Sequence, residues 1–134
     1  MATQTVLIKN AKIVNEGTIT EGDVLIKGDR IEKIADSIPA PEGACTIIDA
    51  KGDYLLPGMI DDQVHFRDPG LTQKADIHSE SKAAVAGGVT SFMDMPNTMP
   101  NTLTQELLEE KYQLGAEKSV ANYSFFMGVN KDNI

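Results

Sequence analysis

The sequence predicts an α/β chain in two parts. Residues 1–56 read as a small β-sandwich subdomain, and residues 57–134 as the first strands and helices of a (β/α)8 barrel, incomplete in this chain. Up to Leu56 the apolar runs are short and separated by turn residues, the mark of an all-β segment. After Pro57-Gly58, strand-like runs alternate with stretches of helical periodicity. Strand, helix, strand, helix, strand at this spacing indicates a parallel layer.

In the first part, strands are expected at Val6–Ile8, Ala11–Val14, Asp23–Ile26, Arg30–Ile34, Thr46–Ile48 and Tyr54–Leu56. Turns fall at Asn10, Asn15 to Gly17, Gly28-Asp29, Pro39 to Gly43 and Gly52-Asp53. Gly28-Asp29 separates two strand-like runs by two residues, a hairpin signal. In the second part, residues 59–66 are apolar enough for a buried strand, and a loop follows over 67–73. A helix over 75–87 carries Ile77, Ser81, Ala84, Val85 and Gly88 on one face, and Gly87-Gly88 ends it. Val89–Met95 is the next strand, and 96–100 is turn-rich. Thr102 to Gln105 resembles a capping box opening a helix to Lys118, with Leu103, Leu107 and Leu114 on one side. Ala121–Gly128 is a third strand. A complete barrel needs about 250 residues, so the expectation is the N-terminal portion of a longer polypeptide. An open parallel edge predicts association, as a homo-oligomer or with the missing remainder.

Composition narrows the function. A net charge of −8 argues against nucleic acid and anionic membrane as partners. No run approaches the ~18 apolar residues of a membrane span, and the N-terminus shows no secretory pattern. The single Cys45 excludes a disulfide framework and a cysteine zinc site, and a reducing, cytoplasmic setting is expected.

The chemistry concentrates in residues 57–70, Pro-Gly-Met-Ile-Asp-Asp-Gln-Val-His-Phe-Arg-Asp-Pro-Gly. Strand alternation would send Asp61, Gln63, His65 and Arg67 one way and Asp62, Val64 and Phe66 the other. In a barrel, the C-terminal strand ends carry the site. Gln63, His65 and Arg67 end one strand, while Asp94, Pro96 and Asn97 end the next, so both converge on one mouth. For Asp94, a strand-end acid at the mouth and a hydrogen-bonded structural residue are both open readings.

Pro57-Gly58, Asp61 to Gly70, Gly87-Gly88-Val89-Thr90 and Met95-Pro96-Asn97-Thr98-Met99-Pro100 together resemble the N-terminal part of a dihydroorotase, in the amidohydrolase superfamily. The resemblance runs the length of the chain, and the contexts of Arg67 and Asn97 favour it over hydantoinase and allantoinase relatives. It implies metal-assisted interconversion of dihydroorotate and N-carbamoyl-aspartate in pyrimidine biosynthesis, with one or two zinc ions. It implies His65 as a metal ligand, and Arg67 and Asn97 as the groups that hold the substrate carboxylate. An arginine fork suits a carboxylate because it donates two parallel charged hydrogen bonds. Asp61 is expected to orient the ligands.

Gln63 departs from the pattern, standing where the family has its first metal-binding histidine. A neutral amide oxygen is a poor zinc ligand beside imidazole. The further ligands and the catalytic aspartate are expected beyond Ile134, so no catalytic residue is assigned within this chain. Gln63 motivates one alternative, a non-catalytic dihydroorotase-like scaffold without its metal, paired with aspartate transcarbamoylase. Another cyclic amidohydrolase is a second alternative. Elsewhere the readings are plain. His78 is an exposed structural histidine, Asp76 a first-turn acid, and Asp68 a mild replacement for glutamate. Glu106, Glu109, Glu110 and Lys111 form a solvated face, and Met93, Met95 and Met99 pack.

Overall fold

The computed structural model describes residues 4–133, so Met1 to Thr3 and Ile134 lie outside the described residues. The chain forms two compact units, Met1–Pro57 and Gly58–Ile134.

In the first unit, β1 (Thr5–Asn15), β2 (Thr18–Lys27), β3 (Arg30–Ala35), β4 (Thr46–Asp49) and β5 (Tyr54–Leu55) build a single sheet. Its order is β3-β2-β1-β4, and β5 also pairs with β1. The expected sandwich is corrected here, because no second sheet forms among the described residues of this unit. The reason is that β4 and β5 both run parallel to β1, beside Val6–Lys9 and Lys12–Ile13 respectively. They extend one sheet rather than found another.

Asn10 is not a turn between two strands. It is a bulge within β1, at φ 56, where the register against β2 gains one residue. Buried Asp23 stabilises the bulge: its Oδ1 accepts the Asn10 N–H at 2.9 Å and its Oδ2 accepts the Ile38 N–H at 2.8 Å. Those two donors, with Lys9 nearby, hold the Asp23 carboxyl below the usual carboxylate range. The β1–β2 hairpin turns through Glu16 and Gly17, both at positive φ, as a two-residue turn of matching twist requires. Gly28 at φ 61 turns β2 into β3, where the sequence places the hairpin. Leu7, Leu25 and Ile38 form the small core under this sheet.

In the second unit, β6 (Met59–Val64), β7 (Val89–Asp94) and β8 (Asn122–Phe125) form a parallel sheet in chain order. The crossovers are α1 (Ile77–Ala86) and α2 (Gln105–Lys118). Asp76 is the N-cap of α1 rather than a first-turn acid. It accepts the Ser79 N–H at 2.7 Å, and Ser79 Oγ accepts the Asp76 N–H at 3.3 Å, completing a capping box. Gly88, at φ 90, carries the chain out of α1. Thr104 caps α2, not Thr102, which is buried and hydrogen-bonded to Thr98.

Val64, Phe66, Ile77, Phe92 and Phe125 make the core between sheet and helices. Phe66 and Phe92 meet tilted by 45° with ring centroids 4.5 Å apart, and Phe92 meets Phe125 edge-on at 6.4 Å. The inner face of α2 runs through Leu108, Lys111, Tyr112 and Gly115, and of the expected Leu103, Leu107 and Leu114 it is Leu114 that also packs against the core. Gly115 permits close approach, since a Cβ there would lie 2.7 Å from Tyr123 and 3.1 Å from Phe125. No helix of the described residues is long and apolar enough to cross a membrane.

Candidate functional site

The site residues lie where β6 and β7 end. β6 stops at Val64, two residues earlier than the sequence suggests, so His65 and Arg67 belong to the segment that leaves it. A bulge between Asp61 and Val64 breaks the alternation expected along the strand. Asp62 and Gln63, predicted to face opposite ways, both line an open concavity of about 390 Å³ with Met95, Pro96, Phe126 and Met127. From Val64 onward alternation holds: Val64, Phe66 and Asp68 are buried, His65 is exposed and Arg67 is half-buried. Asp61 turns back on the bulge, where its Oδ1 accepts the Gln63 N–H at 3.1 Å. It thus holds the backbone of Gln63 rather than any side chain of the site.

The segments following β6 and β7 are stitched together. Met95 N–H donates to Val64 O at 3.0 Å, and Met99 N–H to Pro69 O at 3.1 Å. Gly70 lies against Met99 so closely that any Cβ would overlap the Met99 carbonyl. Between these ties, His65 Nδ1 and Asn97 Oδ1 meet at 3.0 Å. The amide oxygen can only accept, so Nδ1 carries the proton. A neutral ring then keeps its lone pair on Nε2, the state a metal ligand needs. Asn97, its oxygen engaged, retains its NH2 group as a donor. Arg67, at φ 66, forms no ion pair among the described residues, so its charge is uncommitted. The three residues named for the site are thus gathered at one end of the sheet.

Two ion pairs on buried carboxylates, both missed by the sequence reading, support this end. Asp94 is a buried, hydrogen-bonded residue: its Oδ2 takes Lys111 Nζ at 2.7 Å, its Oδ1 takes the Phe66 N–H at 2.9 Å, and the Asp94 and Lys111 side chains are each 1 % exposed. Lys111 therefore does not belong to a solvated face. The signal was present, since Leu108, Lys111, Tyr112 and Gly115 recur at helical core spacing with one charge among them. Asp68 is buried too, paired with Lys118 Nζ at 2.7 Å, so it anchors the loop rather than being an incidental change. His78 is exposed, with Nδ1 3.1 Å from Lys118 O.

As a zinc site these residues are incomplete. Zinc is held by three or four nitrogen, sulfur or oxygen ligands. Among the described residues no group of three or more His, Cys, Asp or Glu side chains comes together. His65 fits the role of one ligand, whereas the amide of Gln63 does not.

A family model described as dihydro-orotase-like matches residues 52–129, more than half of the chain. The chain is 42% identical over 116 residues to the dihydroorotase of Streptococcus thermophilus strain CNRZ 1066, covering 85% of this chain and 27% of the relative. It is 36% identical over 129 residues to an allantoinase of Deinococcus radiodurans, covering 96% and 28%. In three dimensions it is similar to the L-hydantoinase of Arthrobacter aurescens at a TM-score of 0.89 and 29% identity, over 96% of this chain and 28% of that one. The chain therefore spans under a third of the length of the relatives it matches. Its motifs, its mixed fold and the extent of the family match agree, and the chain belongs to the dihydro-orotase-like family.

Proposed function

We propose that the full-length polypeptide carrying this chain is a cyclic amidohydrolase, and specifically a dihydroorotase. It adds water across the ring amide of dihydroorotate: hydroxyl goes to the carbonyl carbon, the C–N bond breaks, and the proton goes to the released nitrogen, giving N-carbamoyl-aspartate. The reverse closes the ring. This reading places the protein in cytoplasmic pyrimidine biosynthesis, as a homo-oligomer, with aspartate transcarbamoylase as a candidate partner.

The hydrogen bond between His65 and Asn97 carries the proposal. It sets the polarity of both partners, leaving Nε2 of His65 to a metal and the NH2 of Asn97 to an anionic substrate group. Arg67, uncommitted and two residues from His65, adds the charge that binds a carboxylate bidentately. Together Arg67 and Asn97 hold the ring by its carboxylate and present the amide to the centre of the mouth. Zinc is the expected cofactor, with His65 as this chain's ligand and the other ligands elsewhere in the polypeptide. When bound it would bring the pKa of a water towards about 7. The allantoinase and hydantoinase relatives support a second reading, a cyclic amidohydrolase whose ring bears no carboxylate.

Zinc content and turnover of dihydroorotate, measured on the unaltered full-length polypeptide and on Gln63→His, test the proposal. The unaltered protein is expected to hold zinc and turn over, and Gln63→His to bind zinc at least 10-fold tighter, the scale of losing one supporting group. A folded, zinc-loaded polypeptide without turnover would refute it.

A further inference from the structure

The buried pair of Asp94 and Lys111 does more than fill the interior beside β7. Asp94 Oδ1 accepts the N–H of Phe66, the residue between His65 and Arg67. Lys111 Nζ donates to Asp94 Oδ2 at 2.7 Å and to the carbonyl of Met95 at 3.1 Å, two residues before Asn97. Its remaining side faces the Phe125 ring at 4.9 Å. One ion pair therefore grips the backbone on both sides of the His65–Asn97 contact. No buried side-chain polar atom lacks a partner among the described residues, so this network is complete.

We propose that Asp94 and Lys111 are positioning residues: their pair fixes the backbone at Phe66 and Met95, and so the tautomer of His65 and the placement of Arg67 and Asn97. A purely structural pair could be replaced by apolar side chains of similar volume with little change. A positioning pair could not, because Phe66 and Met95 would lose the partners that set them. This inference rests on the functional reading only for its kinetic consequence.

In the zinc-free full-length polypeptide, a 15N-histidine label reads the ring nitrogens of His65, assigned by their loss in His65→Gln, with His78 as an internal control. In the unaltered chain, the ring nitrogens of His65 are expected at the well-separated shifts of the Nδ1–H tautomer. The variant Asp94→Leu with Lys111→Met removes the grip without stranding a charge. Its His65 nitrogens are expected to average together while those of His78 stay put. Asp94→Asn with Lys111→Gln keeps an acceptor for Phe66 and a neutral donor on the Met95 side, and is expected to restore the His65 pattern. In the full-length polypeptide, the first double variant should lose about 10–100-fold in kcat/KM, as small misplacements do, mostly through KM, with rescue by the second.

A folded Asp94→Leu, Lys111→Met chain that retains the His65 pattern overturns the inference. Should that variant not fold, the Asn-containing variant decides. Protection of the Phe66 amide from exchange together with an intact His65 pattern supports the inference, and loss of either in a folded chain overturns it. The ring signature needs no substrate, so a polypeptide with no turnover refutes the proposed reaction and leaves this test standing.

Discussion

The two buried carboxylates make a sharp energetic comparison, because their ion pairs share a distance and differ in solvent. Lys111–Asp94 and Lys118–Asp68 both close at 2.7 Å. The first pair is 1 % exposed on each side, whereas Lys118 is 34 % exposed and Asp68 3 %. Lys111→Met leaves Asp94 with the Phe66 N–H as its partner and no cation, in a site closed to water. Stranding a buried charge in this way costs about 3–5 kcal/mol. Lys118→Met leaves Asp68 near the Ile77 N–H at 3.5 Å, beside a space water can enter. Exposed pairs contribute about 0–1 kcal/mol and hydrogen bonds to charged groups about 1.5–3 kcal/mol, which puts this loss at about 1–2 kcal/mol. Urea unfolding followed by circular dichroism reads both. With a slope of about 2 kcal/mol per M, the midpoint should fall by about 1.5–2.5 M for Lys111→Met and about 0.5–1 M for Lys118→Met. Adding Asp94→Leu to Lys111→Met should recover only part of the loss, since the charge goes with its partner but the Phe66 N–H is left without its acceptor. Equal shifts for the two lysines, or a shift under about 0.5 M for Lys111→Met, would refute the reasoning.

Three further outcomes follow from the fold. Gly115→Ala should destabilise the second unit by about 1–3 kcal/mol in the same assay, because its Cβ would press on the rings of Tyr123 and Phe125. Asp76→Ala removes the capping box of α1 and should cost about 1 kcal/mol by thermal unfolding, with Asp76→Ser largely restoring it. Asp23 has a lowered pKa when folded, chiefly from the Ile38 and Asn10 N–H groups, so the unfolded chain binds the proton more readily. Its contribution is fully present above the ordinary carboxylate range and fades as pH falls through the folded value. Acid titration of stability should show that loss, and Asp23→Asn should flatten it.

What could be read in advance divides along physical lines. The Gly28-Asp29 hairpin, β7 and both helices were legible because turn residues and periodicity are local. The bulges at Asn10 and between Asp61 and Val64 were not, since one extra residue leaves composition and apolar pattern unchanged. The pairing of both β4 and β5 with β1 is a long-range choice that strand propensity does not encode. The cap of α2 was misplaced by two residues because Thr102 and Thr104 are equally good caps, and the loop through Thr98 claims the first. Lys111 sits among glutamates, and only its partner on β7 reveals that it is buried. At the site, motif identity named His65, Arg67 and Asn97. Only geometry brings His65 onto Asn97, 32 positions away, and turns Asp62 toward the concavity beside Gln63.

The most direct test of the central claim is discrimination by the substrate carboxylate. Initial rates of the zinc-supplemented full-length polypeptide would be compared on dihydroorotate and on the same ring without its carboxylate, before and after Arg67→Met. A bidentate charged contact left unpaired costs about 2–5 kcal/mol, so the unaltered protein should prefer dihydroorotate by about 30-fold or more in kcat/KM, and Arg67→Met should erase most of that preference. Equal rates on the two rings, or a preference that survives Arg67→Met, would contradict the assignment of this end of the sheet to carboxylate recognition.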